Sequence, residues 1–156
     1  MDMPPQADKE RVALRSRALA ILARREHSRA ELRQKLRSFS ADEALVEAVL
    51  DDLVARRLLS DERYAEVRTT TLQRKFGSAR IEHELRAKGV SRSLAMQAAS
   101  TSRETEVERA RAVWSKRFGA APRDAPEKAR QMRFLQGRGF SFDAIRAVLA
   151  SIGEDE

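Results

Sequence analysis

The sequence predicts an all-α fold built from three tandem three-helix repeats. Serines suited to cap helices recur at short intervals, and no segment has the pattern of a strand. Two segments also repeat: residues 72–77 (LQRKFG) match 114–119 (WSKRFG), and 85–91 (LRAKGVS) match 135–141 (LQGRGFS). Hydrophobic residues make up 42%, but 25 of them are alanine. This small supply of large apolar side chains favours several small cores in an extended molecule over one deep core.

Residues 10–59 are predicted to form module 1. An apolar stripe among basic residues indicates a first helix over residues 10–25. Ser28, with Glu31 three residues later, is a capping box that starts a second helix. The segment 40–43 repeats this signal and starts a third helix, which ends near Arg56 and Arg57.

Residues 60–100 are predicted to form module 2 and residues 101–152 module 3. This division leaves a flexible N-terminal tail at residues 1–9 and an acidic tail at residues 153–156. The predicted helix starts in these two modules are Ser60, Ser78, Ser91, Ser102, Pro126 and Ser141. The helix from Ser60 should reach about Lys75, and Gly89 should supply the left-handed residue after the fifth helix.

Composition excludes several classes of protein. The chain has 31 basic against 24 acidic residues, a formal net charge of +7, and 25 of its basic residues are arginine. It has no cysteine, which excludes disulfides, cysteine-ligated zinc and thiol nucleophiles. No apolar run approaches the ~20 residues of a membrane helix, and residues 1–9 lack the apolar stretch of a signal peptide. We therefore expect a soluble, cytoplasmic protein without a membrane partner.

The sequence shows no catalytic constellation. His27 and His83 lie in different modules, and neither belongs to a metal-binding spacing. His27, directly before the Ser28 cap, is interpreted as a helix-entry residue, and both histidines are expected to be structural or solvent-exposed. The segment 137–139 lacks the lysine and hydroxyl residue of a phosphate loop. The chain is therefore predicted to be a non-enzymatic binding protein that uses no metal or cofactor.

A basic pair recurs at the equivalent point of every module. We call these six residues the basic stripe: Arg24, Arg25, Arg74, Lys75, Lys116 and Arg117. Cations in a last helical turn also complement the helix dipole, by ~0.3–1 kcal/mol each, which could explain any single pair. Three occurrences in register favour a binding surface for a polyanion. Secondary basic candidates lie at other helix ends: Arg56, Arg57, Arg86, Lys88 and Arg138.

The polyanion is either nucleic acid or an acidic protein surface. The third helix of module 1 carries five acids, in residues 42–52, before any basic residue, and these would repel DNA phosphates. The helices after Ser91 and Ser141 lack a base-reading set of side chains. Phe76, Phe118 and Phe134 are expected to lie in the core rather than to stack on bases. A protein partner with both charges is therefore favoured, and the alternative is an autonomous helical module that binds DNA without sequence specificity.

Several motifs match a known family. They are residues 24–28 (RREHS), Glu31-Leu32, Lys35-Leu36, 58–65 (LLSDERYA), 77–81, 84–85, 88–90, 134–135 and 138–140 (RGF). On these motifs, which span about residues 15–150, the chain resembles the RecX family, bacterial regulators of the RecA recombinase.

The resemblance implies three three-helix repeats in a curved, elongated shape and a location in the cytoplasm. It implies binding to RecA and its filament on single-stranded DNA, with modulation, mostly inhibition, of ATP hydrolysis, strand exchange and co-protease activity in DNA repair and the SOS response. Enhancement of RecA is the open alternative to inhibition. We also expect a monomer and weak direct binding of single- or double-stranded DNA. The resemblance provides no catalytic or binding residues, so the basic stripe rests on the repeats alone. Binding along the filament groove and capping of its growing end both remain open.

Overall fold

The computed structural model describes residues 5–154, which form nine helices and no strand. The predicted all-α fold is therefore confirmed for this range. In chain order the helices are α1 (Pro5–Arg24), α2 (Arg29–Arg37), α3 (Glu43–Ala55), α4 (Asp61–Leu72), α5 (Ser78–Ala87), α6 (Arg92–Arg103), α7 (Glu106–Arg117), α8 (Ala125–Gly137) and α9 (Phe142–Glu154).

Serine side chains cap four of these helices as predicted. The Ser28 hydroxyl accepts the backbone N–H of Glu31 at 3.1 Å, and the Glu31 carboxylate accepts the backbone N–H of Ser28 at 3.2 Å. The hydroxyls of Ser60, Ser91 and Ser141 each accept the N–H three residues later, at 3.1–3.2 Å. Each cap satisfies a backbone donor that the first helical turn leaves without a partner.

One predicted helix start, Ser102, is wrong, and the third helix begins within the predicted segment 40–43 but with another capping residue. Ser102 does not begin the seventh helix but lies fully buried inside α6, where its hydroxyl donates to the Ala98 carbonyl and accepts from Gln73. These tertiary partners occupy the groups that a cap would use, and α7 begins at Glu106. The third helix is capped by Asp42, whose carboxylate accepts the N–H of Leu45 at 3.2 Å.

Helix ends also differ from the predicted bounds. Helix α1 begins at Pro5, so residues 5–9 of the expected tail are helical, consistent with the preference for proline in a first turn. Residues 1–4 of that tail lie outside the described range. Helix α4 ends at Leu72, so Arg74 and Lys75 lie in the turn that follows it. Helix α9 continues to Glu154, and residues 155–156 of the expected acidic tail are not described.

The chain divides into two compact units, with the boundary inside α4. Unit 1 contains the described residues up to Val67 together with Lys88–Val90. Helices α1, α2 and α3 pack together in unit 1. Their buried apolar side chains form one core: Leu14, Ala18, Leu32, Leu36, Leu45, Val46, Val49, Leu50, Leu53 and Leu59. Burial of this continuous apolar cluster is the main stabilising contribution to the unit.

Unit 2 contains Arg68–Ala87 and the chain from Ser91 onward. Helix α5 packs on α6, and α7 packs on α8 and α9. Helices α7, α8 and α9 share a core whose buried residues are Ala110, Trp114, Leu135, Phe140, Ile145 and Val148. The indole N–H of Trp114 donates to the Gln131 side chain at 2.8 Å, so this buried polar group is satisfied.

Two residues of α7 hold the turn between α4 and α5. The guanidinium of Arg109 donates to the carbonyls of Gln73 at 3.2 Å and Phe76 at 2.5 Å, and burial lowers its pKa. The buried carboxylate of Glu106 accepts both the backbone N–H and the hydroxyl of Ser78 at 2.9 Å. These bonds fix the backbone on both sides of Arg74 and Lys75.

Candidate functional site

The two stripe residues of unit 1 have different surroundings. Arg24 is exposed in the last turn of α1 and forms no ion pair within the part of the chain that the structure describes. Arg25, the next residue, donates to the Glu31 carboxylate at 3.1 Å and to the Glu26 carbonyl at 2.9 Å. Although burial opposes the shift, hydrogen bonds from Arg25 and Ser28 lower the pKa of Glu31. Arg24 is therefore more available than Arg25 to bind an external anion.

Unit 2 holds the other four stripe residues. Arg74 and Lys75 are exposed in the turn after α4, and Lys116 and Arg117 are exposed in the last turn of α7. None of the four forms an ion pair with a described residue, so the carboxylates of residues 5–154 do not neutralise this part of the stripe. The macrodipole explanation applies to Lys116 and Arg117, but Arg74 and Lys75 lie beyond the end of their helix.

The secondary candidates also differ in whether their charge is paired. Arg56 pairs with Asp52 at 3.1 Å, and Arg57 has a left-handed backbone with φ of 60°. Lys88 is exposed, while its carbonyl accepts the Ser28 hydroxyl at 2.6 Å. Arg86 is exposed in the last turn of α5, and Arg138 caps the end of α8. Among these five, Arg138 lies over the ring of Phe134, as does the stripe residue Arg117.

Arginine and phenylalanine side chains alternate on unit 2. We call this row the Arg–Phe ladder, and its members in order are Arg80, Phe76, Arg138, Phe134, Arg117 and Phe118. Successive guanidinium carbons and ring centroids lie 5.0, 5.6, 5.1, 5.4 and 5.7 Å apart. The rings of Phe118 and Phe134 also meet edge to face, with centroids 5.4 Å apart.

The ladder arranges three cations in fixed positions. Each guanidinium over a ring is stabilised by ~0.5–1 kcal/mol while its N–H groups stay available to an anion. Of the three arginines, Arg80 alone has a carboxylate partner among the described residues, Glu84 at 2.9 Å. The row can therefore offer forked hydrogen bonds to phosphates or carboxylates, and its π faces suit nucleobases.

The ladder was not predicted from the sequence. The sequence places all three phenylalanines in the core. All three are half-buried with arginines over their rings, and Phe118 and Phe134 also pack against the core formed by α7, α8 and α9. One signal was present, because Phe76 and Phe118 each follow a basic pair in the repeated segment 72–77 and 114–119.

The acids of α3 are largely engaged inside unit 1. Hydrogen bonds from Arg33 and Arg29 lower the pKa of Glu47 to about 2. Asp51 accepts from Arg29 at 2.7 Å, and Asp52 pairs with Arg56. This helix is therefore less available to an external basic surface than its sequence suggests.

The two histidines lie where the sequence predicts, one at a helix entry and one exposed to solvent. His27 is 1% exposed, and burial lowers its pKa, while His83 is exposed on α5. Within residues 5–154, no group of three or more histidines and carboxylates is placed to hold a metal ion. No helix in the same range is long and apolar enough to cross a membrane.

Comparison with known proteins gives consistent results along the chain. Models of the first, second and third three-helix domains of RecX match residues 15–53, 60–98 and 104–149. These matches, with the nine helices of the described range, confirm the predicted three-helix repeats.

Individual proteins support the same relationship. The chain is 49% identical to regulatory protein RecX of Leptothrix cholodnii over 92% of this chain and 91% of that one. It is 42% identical to regulatory protein RecX of Chromobacterium violaceum over 92% of this chain and 93% of that one. The crystal structure of RecX from Lactobacillus salivarius superposes with a TM-score of 0.82 at 22% identity, over 94% and 99% of the two chains, so the fold is shared. The chain belongs to the RecX family of regulatory proteins.

Proposed function

We propose that this chain binds RecA and RecA filaments on single-stranded DNA in the cytoplasm, acts as a monomer, and inhibits ATP hydrolysis, strand exchange and co-protease activity. Its membership of a family of regulatory proteins supports a regulatory role. The observation that carries the proposal is a set of exposed cations, at repeated helix ends, that have no carboxylate partner within residues 5–154: Arg24, Arg74, Lys75 and Lys116.

Free cations of this kind suit a filament partner. A nucleoprotein filament presents phosphates and acidic side chains at regular intervals, and a repeated protein can meet repeated charges. Rigid backbone support reduces the ordering cost of binding, and Arg109 supplies it on both sides of Arg74 and Lys75.

The test is RecA-dependent ATP hydrolysis on single-stranded DNA with increasing amounts of the purified chain. The variant replaces Arg74, Lys75 and Lys116 by Gln, which leaves the Arg–Phe ladder and every ion pair of unit 2 intact. Three exposed interfacial charges at ~0.5 kcal/mol each sum to ~1.5 kcal/mol, so half-inhibition should need about tenfold more variant.

A matched control carries the same change in charge. It replaces Arg92, Lys128 and Arg133, three exposed cations of unit 2 outside the stripe and the ladder, by Gln. We expect this control to inhibit like the unmodified chain. Equal loss of inhibition in both variants would attribute the effect to net charge, and unaltered inhibition by the stripe variant would refute the role of these residues.

The Arg–Phe ladder favours a second candidate function, direct binding of single-stranded DNA. Arginines and aromatic rings together form the kind of platform on which bases stack. This function predicts that the chain binds DNA without RecA. The logarithm of its affinity should fall with the logarithm of the salt concentration, by about 0.7 for each phosphate contacted. Inhibition of RecA at chain concentrations far below those that bind DNA would favour the first function.

A further inference from the structure

Unit 1 contains a basic pocket between the end of α1 and helix α2. The pocket has a volume of about 480 Å³, and no acidic side chain lines it. We define the basic pocket by Arg17, Arg24, Arg25, His27, Lys35 and Phe39. Its volume falls in the range of small-molecule sites, ~300–1,000 Å³.

A buried histidine fixes one cation of the pocket. The Lys35 ammonium lies 2.9 Å from Nε2 of His27, and an ammonium can only donate, so Nε2 is the acceptor. The ring proton is therefore on Nδ1, which donates to the Arg25 carbonyl at 3.0 Å. Burial and the neighbouring cations lower the pKa of His27, which keeps the ring neutral. Lys35 is thus held in place with two N–H groups free for a ligand.

The positive charges of the pocket are not neutralised by the residues that line it. Among the described residues, Arg17, Arg24 and Lys35 have no carboxylate partner, and Arg25 pairs with Glu31. Like charges gathered around one cavity repel each other, and a bound anion would relieve that repulsion.

Phe39 adds a stacking surface to this anion site. Its side chain is 49% exposed although it is a large hydrophobic residue. The guanidinium carbon of Arg17 lies over the ring, 4.2 Å from its centroid. A guanidinium stacked on an exposed ring forms a platform for a planar heterocycle.

We propose that the basic pocket binds a nucleoside phosphate, either a free nucleotide or a nucleotide of a single strand. Arg24, Arg25 and Lys35 take the phosphate, and the base stacks beside Phe39 and Arg17. An acidic peptide would also match the cations, but a carboxylate makes no use of the exposed ring. The inference goes beyond the RecA-binding function, because it concerns the chain without RecA. It also differs from the second candidate function, because it assigns a phosphate and base site in unit 1, outside the Arg–Phe ladder of unit 2.

The test is calorimetric titration of the full chain with ADP, with a 5′-phosphorylated oligothymidylate and with inorganic phosphate. Lys35→Gln keeps a donor for His27 but removes the charge, and should weaken nucleotide binding about tenfold, or ~1.4 kcal/mol. Phe39→Leu should weaken binding of ADP or the oligonucleotide about tenfold while leaving binding of inorganic phosphate unchanged. The matched control is Arg37→Gln, an exposed cation of the same helix outside the pocket, which should bind like the unmodified chain.

Each outcome bears on the proposal. Binding of ADP alone identifies a free nucleotide as the source, and binding of the oligonucleotide alone identifies a strand; both support a nucleoside phosphate site. The proposal is overturned if the unmodified chain binds neither ADP nor the oligonucleotide. It is also overturned if R37Q and K35Q lose nucleotide affinity to the same extent. A glutamate-rich peptide that binds as tightly as the nucleotides, with no effect of F39L, would replace the nucleotide by an acidic peptide. The stripe variant keeps every residue of the basic pocket, so its effect on RecA inhibition and the nucleotide titrations test the two proposals separately.

Discussion

Replacement of Gly77 by alanine should strongly destabilise unit 2. A Cβ atom at this position would lie 2.4 Å from the Gly139 carbonyl oxygen, and 2.5 Å from both the Gly139 carbonyl carbon and the Phe140 Cα. All three are backbone atoms, so no side chain can rotate away. The Gly77 N–H also donates to the Arg138 carbonyl at 2.8 Å, which holds the two segments together.

The magnitude follows from this geometry. Ordinary contact with a methyl group requires about 3.5 Å or more, so the segments must separate by about 1 Å. Overpacking of this kind costs ~1–3 kcal/mol, and weakening of the Gly77 hydrogen bond adds ~1 kcal/mol. We therefore expect Gly77→Ala to lower the free energy of unfolding by ~2–4 kcal/mol.

Gly137→Ala is the matched control, and its effect should have the opposite sign. A Cβ there has no atom within 4 Å, and the residue is helical, so alanine should stabilise by ~0.5–1 kcal/mol. Urea unfolding followed by far-ultraviolet circular dichroism measures both variants against the unmodified chain. A Gly77→Ala variant within ~0.5 kcal/mol of the parent, an ordinary surface effect, would refute the close packing of these backbones.

Two further substitutions in unit 1 test local electrostatics and backbone strain. Arg57→Gly should raise the free energy of unfolding by ~0.5–1 kcal/mol, because an L-residue is strained at φ of 60°; a loss of stability in urea unfolding would contradict this. Glu47→Gln should destabilise near neutral pH by at most ~1 kcal/mol, since this carboxylate is partly exposed. The pKa of Glu47 is lowered on folding, so its ion pairs stabilise above its ordinary pKa, and their contribution disappears as the pH falls to about 2. Acid titration of both proteins should therefore show their stabilities converge at low pH, and a constant difference would refute the assignment.

Short-range signals in the sequence predicted most of the fold. The caps at Ser28, Ser60, Ser91 and Ser141 were recognisable because each involves an N–H only three residues away. Ser102 looked the same in the sequence, but its partners include Gln73, which lies 29 residues earlier. Capping chemistry alone could not distinguish these cases, since tertiary contacts override local preference.

The candidate site was predicted less completely. The basic pairs were visible as repeats in the sequence. The neutralisation of Arg25 was not, because its partner Glu31 lies six residues away across a helix start, whereas the Asp52–Arg56 pair has the i,i+4 spacing that a helical sequence does show. The ladder depends on residues as distant as Phe76 and Arg138 meeting in space. The link between His27 and Lys35 spans a helix start and carries no motif of its own.

The contacts from α7 to the turn before α5 also bear on how the chain matures. During synthesis Ser78 leaves the ribosome 28 residues before Glu106, the carboxylate that later accepts its amide and hydroxyl. Until α7 arrives, water must solvate these donors and the carbonyls that Arg109 later binds. A fragment truncated after α6 would keep them hydrated permanently, so α5 should reach its native protection from hydrogen exchange only when α7 is part of the chain.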